Sequence, residues 1–161
     1  MMTRIDARDR LIVALDVPSA AEADALVARM GDQVRFVKVG LELYTVAGPD
    51  IVRKLVDRGK RVFLDLKFLD IEETVRRATA RVAAMGATFL TVHANRKALI
   101  AAVQGRGSSD LKLLAVTVLT NFDGEDLREM GIQRSVQDLV TARAMLAAEV
   151  GCDGVVASGE E

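Results

Sequence analysis

The stretch Arg61-Val-Phe-Leu-Asp-Leu-Lys-Phe-Leu-Asp70 carries the strongest signals of fold and chemistry in this 161-residue chain. Its first part, Arg61 to Leu66, is an apolar run that predicts a β-strand. In an extended strand, residues two apart face the same side, so Asp65 and Lys67 would point into one pocket. Asp70 lies in the following loop, from which it could return to this pocket or reach a neighbouring subunit. A strand that ends in charged groups is typical of parallel α/β folds, whose ligands bind at the carboxyl ends of the strands.

The alternation of strand and helix extends on both sides of that stretch. Six runs rich in Val, Ile and Leu predict strands at residues 11–15, 35–39, 61–66, 89–93, 111–119 and 154–157. Helices are predicted between them, among them 71–85, 97–103, 125–130 and 136–150, and one that begins at a Ser19–Glu22 capping box. Such βα units predict either a doubly wound sheet or a (β/α)8 barrel. No Gly-x-Gly-x-x-Gly motif follows the first strand and no P-loop motif occurs, which disfavours the corresponding nucleotide-binding domains.

Composition excludes several classes of protein. The formal net charge of -1 gives no basic surface for nucleic acid, and no run of apolar residues is long enough to predict a membrane span. The charged stretch Met1 to Arg10 lacks the apolar segment of a signal peptide, and the single cysteine, Cys152, excludes an internal disulfide. The single histidine, His93, excludes multi-histidine metal sites and disfavours a His-based triad. We therefore expect one cytoplasmic α/β domain over residues 1–161.

Polar residues recur at the carboxyl ends of successive predicted strands. They are Asp16, Lys38, Asp65, Lys67, Thr91, His93, Thr117, Thr120 and Ser158. A single one is most simply a helix cap, but charged residues on three consecutive strand ends are costly to bury. Lys38, Asp65, Lys67 and Asp70 would form an alternating network of ammonium and carboxylate groups, and a proton donor (Lys67) beside a fixed negative charge (Asp65) suits expulsion of a carboxylate. The alternative is a salt-bridge network at a barrel mouth that has no catalytic role.

Several of these segments together resemble the orotidine 5'-monophosphate decarboxylase family, of the bacterial type. The matching segments are LIVALD at 11–16, FVKVG at 36–40, FLDLKFLDI at 63–71, TVHA at 91–94, LLAVTVLT at 113–120 and DGVV at 153–156. The resemblance covers essentially the whole chain in order. Its Asp-x-Lys-x-x-Asp pattern at 65–70 is specific to the superfamily, and Lys38 favours the orotidylate branch over the sugar-phosphate decarboxylases and synthases.

The resemblance implies a (β/α)8 TIM barrel that forms a homodimer. It also implies decarboxylation of orotidine 5'-monophosphate to UMP in de novo pyrimidine biosynthesis, without a cofactor or a metal. By this resemblance, Lys67 is expected to protonate the C6 carbanion, and Asp65 is expected to lie beside the substrate carboxylate. Lys38 and Asp16 are expected to hold the charged network and the ribose hydroxyls.

Further substrate contacts are implied outside this network. Asp70, counted with the catalytic residues, and Thr74 match residues that reach the ribose site of the partner subunit. The remaining expected contacts are Ile71, Thr120, Asn121 and His93. Asn121 stands where the family has a serine that reads the pyrimidine ring, and an asparagine can still hydrogen-bond a base edge.

The loop after the third strand departs from the family pattern. Leu69 stands where a histidine is usual, Glu72 where a proline is usual and Glu73 where an asparagine is usual. In the family this region lies at the dimer interface, and two added carboxylates near an acidic site disfavour pairing, so we expect a weakened or altered dimer. Without a dimer, Asp70 and Thr74 could not complete the partner's pocket.

The length departs as well. A (β/α)8 barrel typically has about 250 residues and rarely fewer than about 200, whereas this chain shows six units, the N-terminal three-quarters of the barrel. The two further units carry the family's phosphate-gripping loop, glutamine and arginine. Three hypotheses follow: a decarboxylase completed elsewhere, an inactive truncated or engineered fragment of the family, and a metal-dependent sugar-phosphate decarboxylase or lyase of the same superfamily.

Overall fold

A computed structural model describes the chain over residues 7–158, with side chains from Asp9 onward. Expectations that concern residues 1–6 and 159–161, including the start of the N-terminal stretch and the ends of the 1–161 domain, lie outside the described residues. The strands are β1 (Ile12–Ala14), β2 (Phe36–Gly40), β3 (Arg61–Phe68), β4 (Phe89–His93), β5 (Lys112–Val116) and β6 (Gly154–Val156). The α-helices are α1 (Ala7–Arg10), α2 (Ala20–Met30), α3 (Leu41–Ala47), α4 (Asp50–Asp57), α5 (Glu72–Ala84), α6 (Arg96–Arg106), α7 (Gly124–Glu129) and α8 (Val136–Val150). Over this part of the chain, no helix has both the length and the apolar character needed to cross a membrane.

Strand order decides between the two architectures that the sequence leaves open. All five strand pairings are parallel, and the order in the sheet is β1-β2-β3-β4-β5-β6, so each strand lies beside its neighbours in sequence. A doubly wound sheet reverses its order at a switch point, whereas a barrel wall does not. The (β/α) barrel class is therefore confirmed, with six parallel strands that form an open part of the barrel wall.

Helix boundaries follow the capping signals where these exist. Ser19 accepts the Glu22 N–H at the start of α2, and Ser135 accepts the Asp138 N–H at the start of α8. Helix α3 was not predicted because it follows β2 directly, with Gly40 at its N-cap and no capping side chain. The predicted strand 111–119 was too long, since β5 ends at Val116, and the predicted helix 97–103 was too short.

The two faces of the sheet differ sharply. Alternate strand residues such as Val37, Leu64 and Leu90 are fully buried in the main core, where they pack with the helices. The other face is aromatic toward the amino ends of the strands. There the rings of Phe36 and Phe63 lie 5.0 and 5.9 Å from that of Phe89, centroid to centroid. Toward the carboxyl ends the same face becomes polar, and this change of character along the strands places the candidate site.

Candidate active site

A carboxylate between two ammonium groups is the centre of the site. Lys67 Nζ lies 2.9 Å from both carboxylate oxygens of Asp65, and Lys38 Nζ lies 3.8 Å from Asp65 Oδ2. Lys38 Nζ also donates a hydrogen bond of 3.2 Å to Asp16 Oδ1. The side chains of Asp65, Lys38 and Lys67 are 15%, 24% and 31% exposed, and that of Asp16 is 64% exposed. The network therefore holds two positive and two negative charges, and it opens to solvent at Asp16.

The network brings together four of the residues expected from the strand ends and from the family resemblance. Asp65 and Lys67 do face one pocket, with Lys38 from the adjacent strand. The second carboxylate is Asp16, at the end of the first strand. Asp70 lies apart from the network, and its carboxylate accepts the Ile71 N–H at 2.6 Å.

Strand β3 is irregular over the segment that carries Asp65 and Lys67. Leu64 pairs with Leu90, but the next pairing with β4 is Phe68 with Val92, so β3 uses two more residues than β4 over this interval. Lys67 has a φ of 49° and is the one non-glycine residue with positive φ among residues 7–158. Such a left-handed conformation costs a non-glycine residue roughly 1–2 kcal/mol. Strained residues of this kind cluster at functional sites, where the surrounding contacts hold them.

Thr91 of β4 fixes both charged residues of this segment. Its Oγ1 accepts the Lys67 backbone N–H at 2.9 Å and donates to Asp65 Oδ1 at 2.8 Å, and the residue is fully buried. The sequence placed Thr91 at a strand end but gave it no role. The available signal was its spacing from His93, since residues two apart on one strand share a face.

His93, at the end of β4, borders a cavity of about 280 Å³. Other residues that line it include Leu69, Asn95, Thr117 and Arg143. Burial lowers the pKa of His93, and the positive charges of Arg143 and Lys67 lower it further, so the imidazole is neutral at neutral pH. It can then donate one hydrogen bond and accept another, as a substrate contact would require.

Arg143 is a residue of this region that the sequence reading missed. It lies on α8, where the buried residues Leu139, Val140 and Ala147 mark the face that packs inward. Its guanidinium donates to the carbonyl oxygen of Thr117, just after β5, and burial lowers its pKa. The available signal was an arginine that interrupts an apolar stripe at helical spacing.

The remaining expected contacts are exposed. Asp70 and Ile71 lie in the β3–α5 loop, and Thr74 lies in the first turn of α5, with Ile71 at its N-cap. Thr120 and Asn121 occupy the middle of a turn closed by a 2.8 Å hydrogen bond from the Phe122 N–H to the Leu119 carbonyl. The structure does not bring these five residues into the charged network. Their assignment as substrate contacts stays a prediction.

The two unusual glutamates have cationic partners within the chain. Glu72 lies 3.3 Å from Lys97 Nζ, and Glu73 pairs with both Arg76 and Arg77 at 2.7 and 2.6 Å. The hydrogen bonds from Arg76 and Arg77 lower the pKa of Glu73 to about 2, which keeps it ionised. The charges of Glu72 and Glu73 are therefore compensated within the chain. Repulsion between these glutamates and an acidic site of a second subunit is a weaker reason to expect a weakened dimer.

Other reactive groups offer little to this site. Burial raises the pKa of the Cys152 thiol to about 11, so it is not a nucleophile at neutral pH. Over residues 7–158, no group of three or more His, Cys, Asp or Glu side chains is arranged to hold a metal ion. Fold and site together define a TIM-barrel chain with a lysine–aspartate charge network at the carboxyl ends of its strands.

Comparison with known proteins agrees with this class. The model of the orotidine 5'-phosphate decarboxylase / HUMPS family matches residues 9–161. The chain is 56% identical over 155 residues to orotidine 5'-phosphate decarboxylase of Nitrobacter winogradskyi, an alignment that covers 96% of this chain and 65% of that protein. It is 50% identical over 161 residues to the enzyme of Rhodopseudomonas palustris strain BisA53, which covers all of this chain and 68% of the relative. The chain belongs to the orotidine 5'-phosphate decarboxylase / HUMPS family.

A solved structure supports the same assignment. The crystal structure of orotidine 5'-phosphate decarboxylase from Lactobacillus acidophilus superposes with a TM-score of 0.86 at 38% identity, over 92% of this chain and 70% of that one. The chain thus spans about two thirds of the length of the relatives that it matches.

Proposed function

We propose that this chain decarboxylates orotidine 5'-monophosphate to UMP, a step of pyrimidine nucleotide synthesis, without a cofactor or a metal. The observation that carries the proposal is the Asp65 carboxylate, held between the Lys38 and Lys67 ammonium groups at the ends of two adjacent strands. The substrate is inferred from the names of the relatives, and the charge network provides chemistry that suits this substrate.

The charges of the network suit loss of a carboxylate. Asp16 and Asp65 balance Lys38 and Lys67, so a substrate carboxylate beside Asp65 adds an uncompensated negative charge. Breaking the bond between C6 and the carboxylate carbon releases neutral CO₂ and moves the negative charge away from Asp65, to C6, where it remains as an electron pair. The Lys67 ammonium stabilises this carbanion and donates an Nζ proton to C6, and solvent then reprotonates the amine. Because these interactions strengthen only as the bond breaks, they raise the rate rather than the affinity.

A turnover assay on the purified chain tests this proposal. Loss of orotidylate absorbance is followed with and without a chelator, for the wild type, for Lys67→Ala and for the matched control Lys54→Ala. Lys54 pairs with Asp24 between helices α2 and α4, outside the network. Chelator-insensitive turnover that Lys67→Ala abolishes and Lys54→Ala retains would support the proposal.

Two other outcomes would contradict it. Turnover that needs magnesium would indicate a metal-dependent decarboxylase or lyase of the superfamily. A well-folded chain with no turnover would indicate that this chain is not catalytic by itself.

We further propose that the chain forms a homodimer through the face that carries the β3–α5 loop. Leu69 and Ile71 are 59% and 73% exposed there, although both are large and apolar. Asp70 and Thr74 lie on the same face, where they could reach a site in the second copy. Sedimentation over a range of concentrations tests this pairing: a monomer throughout would contradict it. A tight dimer at low micromolar concentration would refute the weakened pairing predicted from Leu69, Glu72 and Glu73.

The remaining proposals concern location and partners. We infer a cytoplasmic enzyme whose partner is a small nucleotide, with neither nucleic acid nor membrane among its ligands. The near-neutral net charge of -1 supports this, because nucleic-acid surfaces need a basic patch. Cell fractionation that recovers the chain with membranes would contradict it.

A further inference from the structure

We propose that Thr91 is a positioning residue of this site, whose hydroxyl holds both the Lys67 backbone and the Asp65 carboxylate in the geometry that decarboxylation requires. This inference rests on the proposed function. Thr91 itself acts through its two neighbours, because its one hydroxyl proton is already donated to Asp65.

The break in strand pairing creates the need for such a residue. Between the pairs Leu64–Leu90 and Phe68–Val92, the backbone of β3 departs from the regular ladder with β4. A buried N–H in such a segment needs an acceptor from elsewhere. For Lys67 that acceptor is the Thr91 hydroxyl, at 2.9 Å.

The direction of both hydrogen bonds is fixed by chemistry. A backbone N–H can only donate and a carboxylate can only accept, so Thr91 Oγ1 accepts from Lys67 and donates to Asp65 Oδ1 at 2.8 Å. The same carboxylate oxygen also accepts from Lys67 Nζ at 2.9 Å. The Thr91 hydroxyl therefore positions the backbone of Lys67 and orients the Asp65 carboxylate, which pairs with the Lys67 ammonium.

Burial makes this hydroxyl hard to replace. Thr91 has no exposed surface, so a variant that lacks the hydroxyl leaves the Lys67 N–H and Asp65 Oδ1 without this partner at a buried position. Lys67 also holds a left-handed backbone conformation, with φ at 49°, that only surrounding contacts can maintain in a residue with a side chain. Without the hydroxyl, we expect the segment to relax and the lysine to shift relative to Asp65.

Three variants isolate the hydroxyl from its surroundings. Thr91→Val keeps the shape and removes both hydrogen bonds, whereas Thr91→Ser keeps the hydroxyl. Thr79→Val is the matched control, because Thr79 is equally buried and its hydroxyl has no hydrogen-bond partner among the described residues. The same chemical change there removes no contact of the site.

Steady-state kinetics give the first readout. We expect Thr91→Val to lower kcat by roughly 10- to 100-fold with little change in KM, since small misplacement of reacting groups costs rates of that order. Thr91→Ser should restore most of kcat, and Thr79→Val should match the wild type. An unchanged kcat in a folded Thr91→Val variant would overturn the proposal. If Thr91→Val does not fold, Thr91→Cys, whose thiol is a weak hydrogen-bonding group, takes its place with the same expectation.

Amide hydrogen exchange gives a second readout that does not depend on turnover. In Thr91→Val, the Lys67 amide should exchange about tenfold faster, while the Leu64 and Leu90 amides stay as in the wild type. Equal protection of the Lys67 amide in both proteins would overturn the proposal. If the wild type fails to decarboxylate orotidylate, the proposed function fails, and the exchange comparison still decides whether Thr91 holds this segment.

Discussion

The network at the strand ends and the residues of the exposed loops are held in very different ways. Asp16, Lys38, Asp65 and Lys67 lie at the ends of three adjacent strands and contact one another at 2.9 to 3.8 Å. The other expected contacts, Asp70, Ile71, Thr74, Thr120 and Asn121, are exposed in loops or in the first turn of α5. The sheet therefore preorganises the charges of the network, whereas the exposed loop residues contact no part of this network. Catalytic power should depend on the first set within one chain, and on Asp70 and Thr74 only through association with a second copy.

The largest expected effect is that of Lys67→Ala. Removal of a general acid typically costs about 10²- to 10⁴-fold in rate, and we expect a loss of kcat in that range. The variant should fold, because Lys67 is partly exposed and the hydrogen bond from its backbone N–H to Thr91 Oγ1 is retained. Turnover within a few-fold of the wild type would mean that the strand network is not the catalytic set.

Asp70→Asn tests whether a residue of the exposed β3–α5 loop contributes to the site of a partner subunit. If Asp70 completes the site of a second copy, Asp70→Asn and Lys67→Ala should each be nearly inactive alone. Mixed together after subunit exchange, they should regain up to about a quarter of wild-type activity, because a two-fold dimer of the two variants contains one intact site. No recovery on mixing, measured at a concentration where exchange is shown, would place Asp70 within its own subunit's chemistry or outside it altogether.

Asp16→Asn tests how much the solvent-exposed ion pair between Asp16 and Lys38 contributes to activity. Asp16 is 64% exposed and pairs with Lys38, whereas Asp65 faces both Lys38 and Lys67. Because exposed ion pairs contribute little, we expect a loss of activity of roughly 10-fold or less, well below that of Lys67→Ala. A loss as large as that of Lys67→Ala would mean that the expected contact of Asp16 with the ribose hydroxyls, and not its ion pair with Lys38, dominates its contribution.

The smallest expected effect is the pH dependence that His93 contributes to stability. Its folded pKa is lowered from the model-peptide value of 6.5, so the unfolded chain binds the proton more readily. The contribution of His93 to the free energy of unfolding is therefore fully present above about pH 6.5, and it declines as the pH falls from there toward the lower folded pKa. His93→Asn should lose this part of the decline, measured as the free energy of unfolding at pH 7.5 and 5.5. The same pH dependence in both proteins would contradict the neutral state assigned to His93.

Much of the architecture follows from local patterns. The strand at 89–93 and the helix at 136–150 agree with the structure at both ends, because apolar periodicity and the Ser135 cap are local signals. The pairing of Asp65 with Lys67 also follows from the sequence. The α3 helix did not, since it begins directly at the end of a strand without a capping side chain.

The sequence by itself determined the six βα units, the placement of charged residues at strand ends and the family. Residue spacing carries that information, because strand alternation and helix periodicity assign each side chain to a face. Only the tertiary structure decided the strand order, the contact of Asp16 with Lys38, and the break in β3 that puts Lys67 in a left-handed conformation against Thr91. These features depend on contacts between strands, with 24 residues separating Lys67 from Thr91 in sequence, and no local pattern encodes which hydroxyl meets which amide.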